Sequence, residues 1–485
     1  MSAKRQKTRP EQLGLAFPAA GRGEAPRAAG QGTEALTAES TYESPADTER
    51  LMEEVCEREN CQQALQRVKR NKGAPGVDGM TVHDLPGYLK QHWTTIREQL
   101  LKGTYQPQPV KRVEIDKPDG SGVRKLGVPT VLDRFIQQAV LQVLQKRWDP
   151  TFSDHSYGFR PGRSAHQAIA RAQQYVAEGY RWVIDLDLEK FFDRVCHDKL
   201  MARIAARISD RRVLKLIRAF LAAGVMESGL VSAVDEGVPQ GGPLSPLLSN
   251  LVLDEWDREL ERRGHRFVRY ADDSNVYVRS ERAGQRVMAS LTAFITRRLK
   301  LKVNQAKSAV ARPWQRKFLG FSFTSEPQPR RRIAPQAVGR FKKRVRELTG
   351  RQRGVSLTRM VEELSPYLRG WQGYFGHCQT PWVLRQLEQW LRRRLRAVQW
   401  VHWKHGSRRY AELHKRGVWA EWAAKAASSA HGPWRLSHAK AVKIALPDAF
   451  FDSLGLPRLV VTERLNPPNR RMRTRMSGGV AGVRG

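Results

Sequence analysis

The sequence predicts an α+β fold over residues 51–325, followed by a region built of helices alone, and three observations point to that division. FIQQAVLQVLQKRW (135–148) has helical periodicity, whereas RWVIDLDL (181–188), FVRY (267–270) and NVYV (275–278) have the character of strands. After about residue 325 the composition turns strongly basic, and proline-initiated amphipathic stretches replace the strands. At 485 residues the chain exceeds what one hydrophobic core usually spans, so two or three domains are expected.

The bulk composition narrows the function before any motif is considered. The 85 Lys and Arg against 48 Asp and Glu leave a net charge of +37, with a pI near 10.7. Solubility does not require such an excess; a polyanionic partner does. The basic residues are spread along most of the chain rather than gathered in one amphipathic anchor, which favours nucleic acid over a membrane surface. No stretch approaches the roughly 18 apolar residues of a membrane span, and no apolar secretory core follows the N-terminus, so a cytoplasmic location is expected. Cys56, Cys61, Cys196 and Cys378 are scattered without a CxxC pair, which argues against a disulfide framework and against a four-cysteine zinc site.

Residues 1–50 are rich in Ala, Gly, Glu, Arg and Pro, lack apolar periodicity and carry balanced charges, the composition of a disordered tail. Within 51–325 the acids stand out. In RWVIDLDLEKFFD, period-two alternation places Trp182, Ile184, Leu186 and Leu188 on one face and Val183, Asp185 and Asp187 on the other. FVRY, ADDS and NVYV form a hairpin with Asp272 and Asp273 at its tip. An isolated Asp pair is ordinarily a surface turn. Two such acid sites meeting at one sheet edge would instead share Mg²⁺, a hard cation that takes oxygen ligands and brings substrate phosphates with it.

Within residues 326–440, the stretch from Pro329 to Arg359 carries eleven basic residues against Glu347 alone. Two helices are expected there, one with Ser365 as N-cap and Pro366 in the first position, the other with Thr380 and Pro381. In the second, Leu384, Leu387, Leu391, Leu395 and Val398 form an apolar face. Arg385, Arg392, Arg393 and Arg396 occupy much of the remainder, and with Trp and His interleaved they read as a phosphate-tracking surface. Residues 441–485, ending in NRRMRTRMSGGVAGVRG, are expected to be a basic tail that binds DNA or RNA.

Nine segments, in order, resemble one family. YADD (270–273) is similar to the Y-x-D-D box of reverse transcriptases, and DLEKFFD (187–193) to their first acidic motif. EGVPQGGPLSPLLSNLVLDEWD (236–257) resembles the corresponding segment of group II intron-encoded reverse transcriptases, or maturases. Further likeness lies in NKGAPGVDGMTV (71–82), KPDGSGVRKLGVPTVLDRFIQQA (117–139), SYGFRPGRSAHQA (156–168), LKLKVNQAKS (299–308) and FLGFSF (318–323). YLRGWQGYF (367–375) resembles the maturase, or thumb, segment of the intron-encoded class.

The resemblance implies a right-hand polymerase, with fingers and an antiparallel palm sheet over 51–325 and an α-helical thumb/maturase domain over 326–440. It implies an RNA-directed DNA polymerase that uses dNTPs, a primer, target DNA and two Mg²⁺ ions, and that binds its group II intron RNA to aid splicing and retrohoming in the bacterial cytoplasm, acting at the nucleoid. By resemblance Asp187, Asp272 and Asp273 are the catalytic acids and metal ligands, joined by the Leu188 carbonyl. Asp185 lies outside the family pattern, and Asp193 is left a structural or capping role. Lys117 and Arg124 match positions that grip the triphosphate, and Phe192 the ring beneath the incoming sugar. Gln240 and Gly241 match contacts to the template–nucleotide pair, and Lys307 a lysine near the leaving pyrophosphate. Trp371, Tyr374, Trp390, Trp400 and Trp403 are candidate platforms for RNA bases, several of which must belong to the core. Paired CxxC ligands of an endonuclease are not found after Cys378, so the endonuclease-lacking, class C-like kind is expected. The competing expectation is an RNA-binding splicing factor whose polymerase has decayed.

Overall fold

Three sheets organise the described residues. In the computed structural model, residues 48–116, 122–227, 230–232 and 236–460 are described. The first sheet has order β2-β1-β4-β5, from β1 (Val110–Asp116), β2 (Val123–Val128), β4 (Val225–Glu227) and β5 (Leu230–Ser232). The second, the palm sheet, has order β6-β7-β3-β8, from β3 (Trp182–Leu186), β6 (Arg266–Tyr270), β7 (Asp273–Val278) and β8 (Ala309–Ala311), all antiparallel. A short pair, β9 (Phe321–Phe323) with β10 (Arg331–Ile333), leads into the helical region.

The palm sheet is buried on both faces, and period-two alternation sorts its side chains between two cores. Ile184, Leu186, Phe267, Val276 and Val278 face a core shared with the helices Val131–Trp148 and Ser245–Arg262. Val183, Val268 and Tyr277 face the other core, which holds Tyr175 of the helix Ala165–Ala177 together with Phe341, Leu368, Trp371 and Trp400 of the helical region. His166 and Gln173 add hydrogen bonds across it, to the Tyr374 carbonyl at 2.8 Å and to Gln379 at 2.8 Å. The composition change near residue 325 is thus not a break in packing.

Two expectations are corrected. Ser365 and Pro366 do not start a helix: the helix runs Leu357–Phe375, and Ser356 caps it by accepting from the Arg359 N–H at 3.2 Å. Pro366 sits inside, and the Ser365 hydroxyl donates to the Val361 carbonyl at 2.7 Å. Serine placed mid-helix back-bonds in this way, so the Ser-Pro pair mimics a start signal without being one. The segment after residue 440 is not a tail throughout. Helices Lys440–Ala445 and Asp448–Ser453 pack through Val442, Leu446 and Phe451 into the second core, as do Leu456 and Leu459. Residues 1–47 and 461–485 lie outside the described residues. Thr48 is already buried, and its carbonyl accepts from the Asp210 N–H at 3.1 Å.

Candidate active site

The acids converge through strand register. β3 pairs with β7 so that Leu186 lies opposite Ser274, and one step further along the same register sets Asp187 beside Asp273. Side chains two apart share a face, so Asp185 joins them there. Asp272 follows Ala271 in the two-residue turn between Tyr270 and Asp273, and Ala271 has φ +57°, a left-handed conformation unusual for a residue with a Cβ. The chain from 304 to 308 clamps the other side. The Asp187 N–H donates to Ser308 Oγ at 3.0 Å, and the Asn304 N–H donates to the Asp187 carbonyl at 2.8 Å. Leu188 bridges to Val303, and Lys307 is exposed in the same turn.

Electrostatically this edge is unusual for so basic a chain. Burial, and then repulsion from Asp185, Asp272 and Asp187, pushes the Asp273 carboxyl up to about 8. Burial and Asp187 raise Asp272, with Arg124 and Arg269 opposing. Asp185 has a cation of its own, Arg316 Nη2 at 2.6 Å. Among the described residues no Lys or Arg forms an ion pair with Asp187, Asp272 or Asp273.

The turn that carries Asp272 is held from below. Arg269 and Asp257 are 1% and 0% exposed and pair in two places, Nη2 to Oδ2 at 2.5 Å and Nε to Oδ1 at 2.8 Å. Arg269 Nη1 also donates to Asn250 Oδ1 at 3.0 Å and to the Ala271 carbonyl at 2.8 Å. Asn250 in turn donates to the Gly158 carbonyl at 2.9 Å. Gly158 lies so close under the turn that a Cβ there would overlap the Ala271 nitrogen. Sequence reasoning missed this group. The available signal was that Asn250 and Asp257 stand seven apart, two turns along one face of the helix Ser245–Arg262 that also carries Leu253 and Leu260.

A cavity of about 550 Å³ is linked to the acids through Arg124, whose charge acts on Asp272. Arg124, Phe192, Gln240 and Gly241 line it, together with Asn71, Arg134 and Phe159, which the sequence did not single out. Gly241 has φ +141°, and a Cβ on it would stand 2.6 Å from the Gly127 carbonyl oxygen, so only glycine lets these two backbones approach. Gly127 N–H closes the contact by donating to the Gln240 carbonyl at 3.0 Å. The Phe192 carbonyl accepts from the Val238 N–H at 2.6 Å, which ties that ring's backbone to the 236–241 segment. Lys117 lies outside the described residues.

Comparison with known proteins bears on this geometry. The sequence profile described as reverse transcriptase (RNA-dependent DNA polymerase) matches residues 115–323, which contain every acid above. A second profile, the group II intron maturase-specific domain, matches residues 338–417. In these two segments the chain is similar to group II intron-encoded reverse transcriptases. It is 41% identical over 221 residues to Protein YkfC of Escherichia coli (strain K12), covering 44% of this chain and 58% of that one. It is 30% identical over 346 residues to the group II intron-encoded protein LtrA of Lactococcus lactis subsp. cremoris, covering 58% and 57%. The chain thus spans under two thirds of the length of these curated relatives. A solved chain from a partial Cas6-RT-Cas1--Cas2 complex aligns at 25% identity with a TM-score of 0.34, over 51% of this chain and 42% of that one.

In the helical region the four expected arginines divide. Arg385 is exposed. Arg393 is half-buried, its guanidinium 4.1 Å from the centre of the Trp434 ring. Arg392 and Arg396 do not face solvent. Arg392 pairs with Glu388 and with Asp452 at 3.1 Å, and Arg396 pairs with Asp448 at 2.7 Å and donates to the Leu446 carbonyl at 2.8 Å. Three of their four partners belong to the 446–452 segment, which the sequence reading had placed in a tail. Trp371, Trp400 and Trp403 are buried, and the Tyr374 hydroxyl donates to the Leu319 carbonyl at 2.8 Å. Trp390 is half-buried amid Lys342, Arg346 and Arg394.

Proposed function

We propose that the chain is an RNA-directed DNA polymerase that extends a primer with dNTPs at the edge bearing Asp187, Asp272 and Asp273. On this reading it also binds a group II intron RNA, in splicing and in retrohoming, in the bacterial cytoplasm. The observation that supports it best is that these three acids meet with no basic partner among the described residues, in a chain of net charge +37. The donor set fits Mg²⁺. No three His, Cys, Asp or Glu side chains among the described residues enclose an ion unaided. Mg²⁺, however, is usually held by one or two carboxylates with substrate phosphates and water completing its shell. Two such ions, when bound, would activate the primer hydroxyl and balance charge on the leaving pyrophosphate.

The remaining roles fall to side chains around the cavity. Arg124, with Lys117, grips the triphosphate through charge-assisted hydrogen bonds. Gly241 allows the template–nucleotide pair close to the backbone, and Lys307 supplies a proton to the departing pyrophosphate. Phe192 lies beneath the sugar and excludes a 2′-hydroxyl. Phe192→Val should therefore relax the preference for dNTP over NTP by about 10- to 100-fold while dNTP incorporation persists. Single-nucleotide incorporation with each substrate checks this, and an unchanged ratio removes Phe192 from the sugar site.

Arg385 and Arg393, exposed and half-buried, serve RNA binding; Arg392 and Arg396 hold the fold. Binding to a structured RNA should weaken by about 1,000-fold or more between 50 and 200 mM salt, as the release of counterions from six or more phosphates requires. A filter-binding titration showing a flat response would contradict a phosphate-tracking surface.

A further inference from the structure

A second cavity, of about 250 Å³, lies in the helical region, away from the acids. Arg346, Arg351 and Arg394 line it beside Trp390 and Trp434. Its charge is unbalanced: none of the lining residues is acidic, and among the described residues none of the three arginines forms an ion pair. On the same helix, Arg392 and Arg396 both face carboxylates. Arg394 is fixed in place, donating to Thr349 Oγ1 at 2.8 Å and to the Thr349 carbonyl at 3.2 Å, and Thr349 is fully buried. Arg346 and Arg394 stand 5.7 and 5.6 Å from the centre of the Trp390 ring. Burial, and then repulsion from Arg346 and Arg351, lowers the pKa of Arg394.

Like charges gathered around a void are unfavourable until an anion joins them. The walls refine which anion. Trp434 carries the Arg393 guanidinium at 4.1 Å yet remains 40% exposed, so a flat ring of a ligand can still reach it. A volume near 250 Å³ suits a small molecule and is too small for a helical segment of nucleic acid. We propose that this cavity binds a single unstacked nucleotide, its phosphate on Arg346, Arg351 and Arg394 and its base against Trp434, supplied by a bulge or loop of a structured RNA. The inference rests on the reading that the chain binds intron RNA, and it assigns one point of that contact. Unstacked bases on aromatic rings are how proteins read folded RNA, since its deep major groove is closed to side chains.

The test uses the full chain and two RNA hairpins that differ by one bulged 2-aminopurine. The unsubstituted protein is expected to bind the bulged hairpin about tenfold more tightly than the plain one and to quench the 2-aminopurine fluorescence on binding. The double variant Arg346→Gln/Arg351→Gln, and separately Trp434→Leu, should each lose that tenfold preference and keep the affinity for the plain hairpin. Adenosine monophosphate at millimolar concentration should displace only the bulge-dependent part. Equal affinity for both hairpins, or an equal loss on both in the variants, overturns the cavity assignment and leaves RNA binding standing. Tight binding of adenosine monophosphate without any preference for the bulge overturns RNA as the source of the nucleotide. Failure to bind either hairpin overturns the RNA-binding reading itself.

Discussion

Asp272→Asn is expected to slow primer extension on an RNA template by about 1,000-fold or more while leaving RNA affinity within about twofold. The magnitude follows from the loss of several kcal/mol of transition-state charge stabilisation, at roughly 1.4 kcal/mol per factor of ten. The change is nearly isosteric, so the turn at Ala271–Asp272 and its support by Arg269 remain. It also removes one of three mutually repelling carboxylates, so thermal stability in chelator should stay level or rise. That combination separates loss of chemistry from loss of fold. It also separates the polymerase reading from that of a splicing factor with a decayed polymerase, in which no extension would be seen before the substitution. Extension that survives Asp272→Asn at a comparable rate would remove Asp272 from the chemistry.

Arg269→Leu should destabilise the chain by about 3–5 kcal/mol, because it leaves Asp257 charged and buried without its partner. Urea denaturation measures this, and a shift below about 1 kcal/mol would mean that the pair is not sealed as the structure has it. Arg269→Lys tests the second function of the same side chain. An ammonium restores the charge beside Asp257. It cannot reproduce the planar fork that reaches Asp257, Asn250 and the Ala271 carbonyl together. We therefore expect Arg269→Lys to recover most of the stability while kcat stays roughly 10- to 100-fold low and the Mg²⁺ concentration for half-maximal extension rises. Recovery of kcat along with stability would make Arg269 a structural residue only. Arg269 thus acts as a positioning residue, through the turn.

What could be read from the sequence, and what could not, divides by range of interaction. The hairpin of β6 and β7 and the strand β3 were legible because a period of two and a short Asp-containing turn are local patterns. The family resemblance supplied Asp187, Asp272 and Asp273, and the register of β3 against β7 supplies the reason they meet. The support of the turn was not legible. It joins residues near 158, 250, 257 and 269, and each alone reads as an ordinary loop, helix or strand residue. The arginines of the helix Pro381–His402 were misread for a related reason. Glu388 lies four residues before Arg392 on its own helix, but Asp448 and Asp452 arrive from a segment whose composition resembles a tail. Composition marks where charge is abundant; only packing shows which charges are already answered.

The palm sheet has no free face, and this constrains how the protein can change. A gene cut at codon 325 would yield two polypeptides, one baring Val183, Val268 and Tyr277, the other Phe341, Leu368 and Trp400, and each would tend to clump before it could meet its complement. Wholesale excision of the residues before 325 is therefore closed to any descendant that keeps the helical region folded. Such a lineage could retire the acid-bearing edge only by erosion at single codons, and would carry the silent scaffold with it.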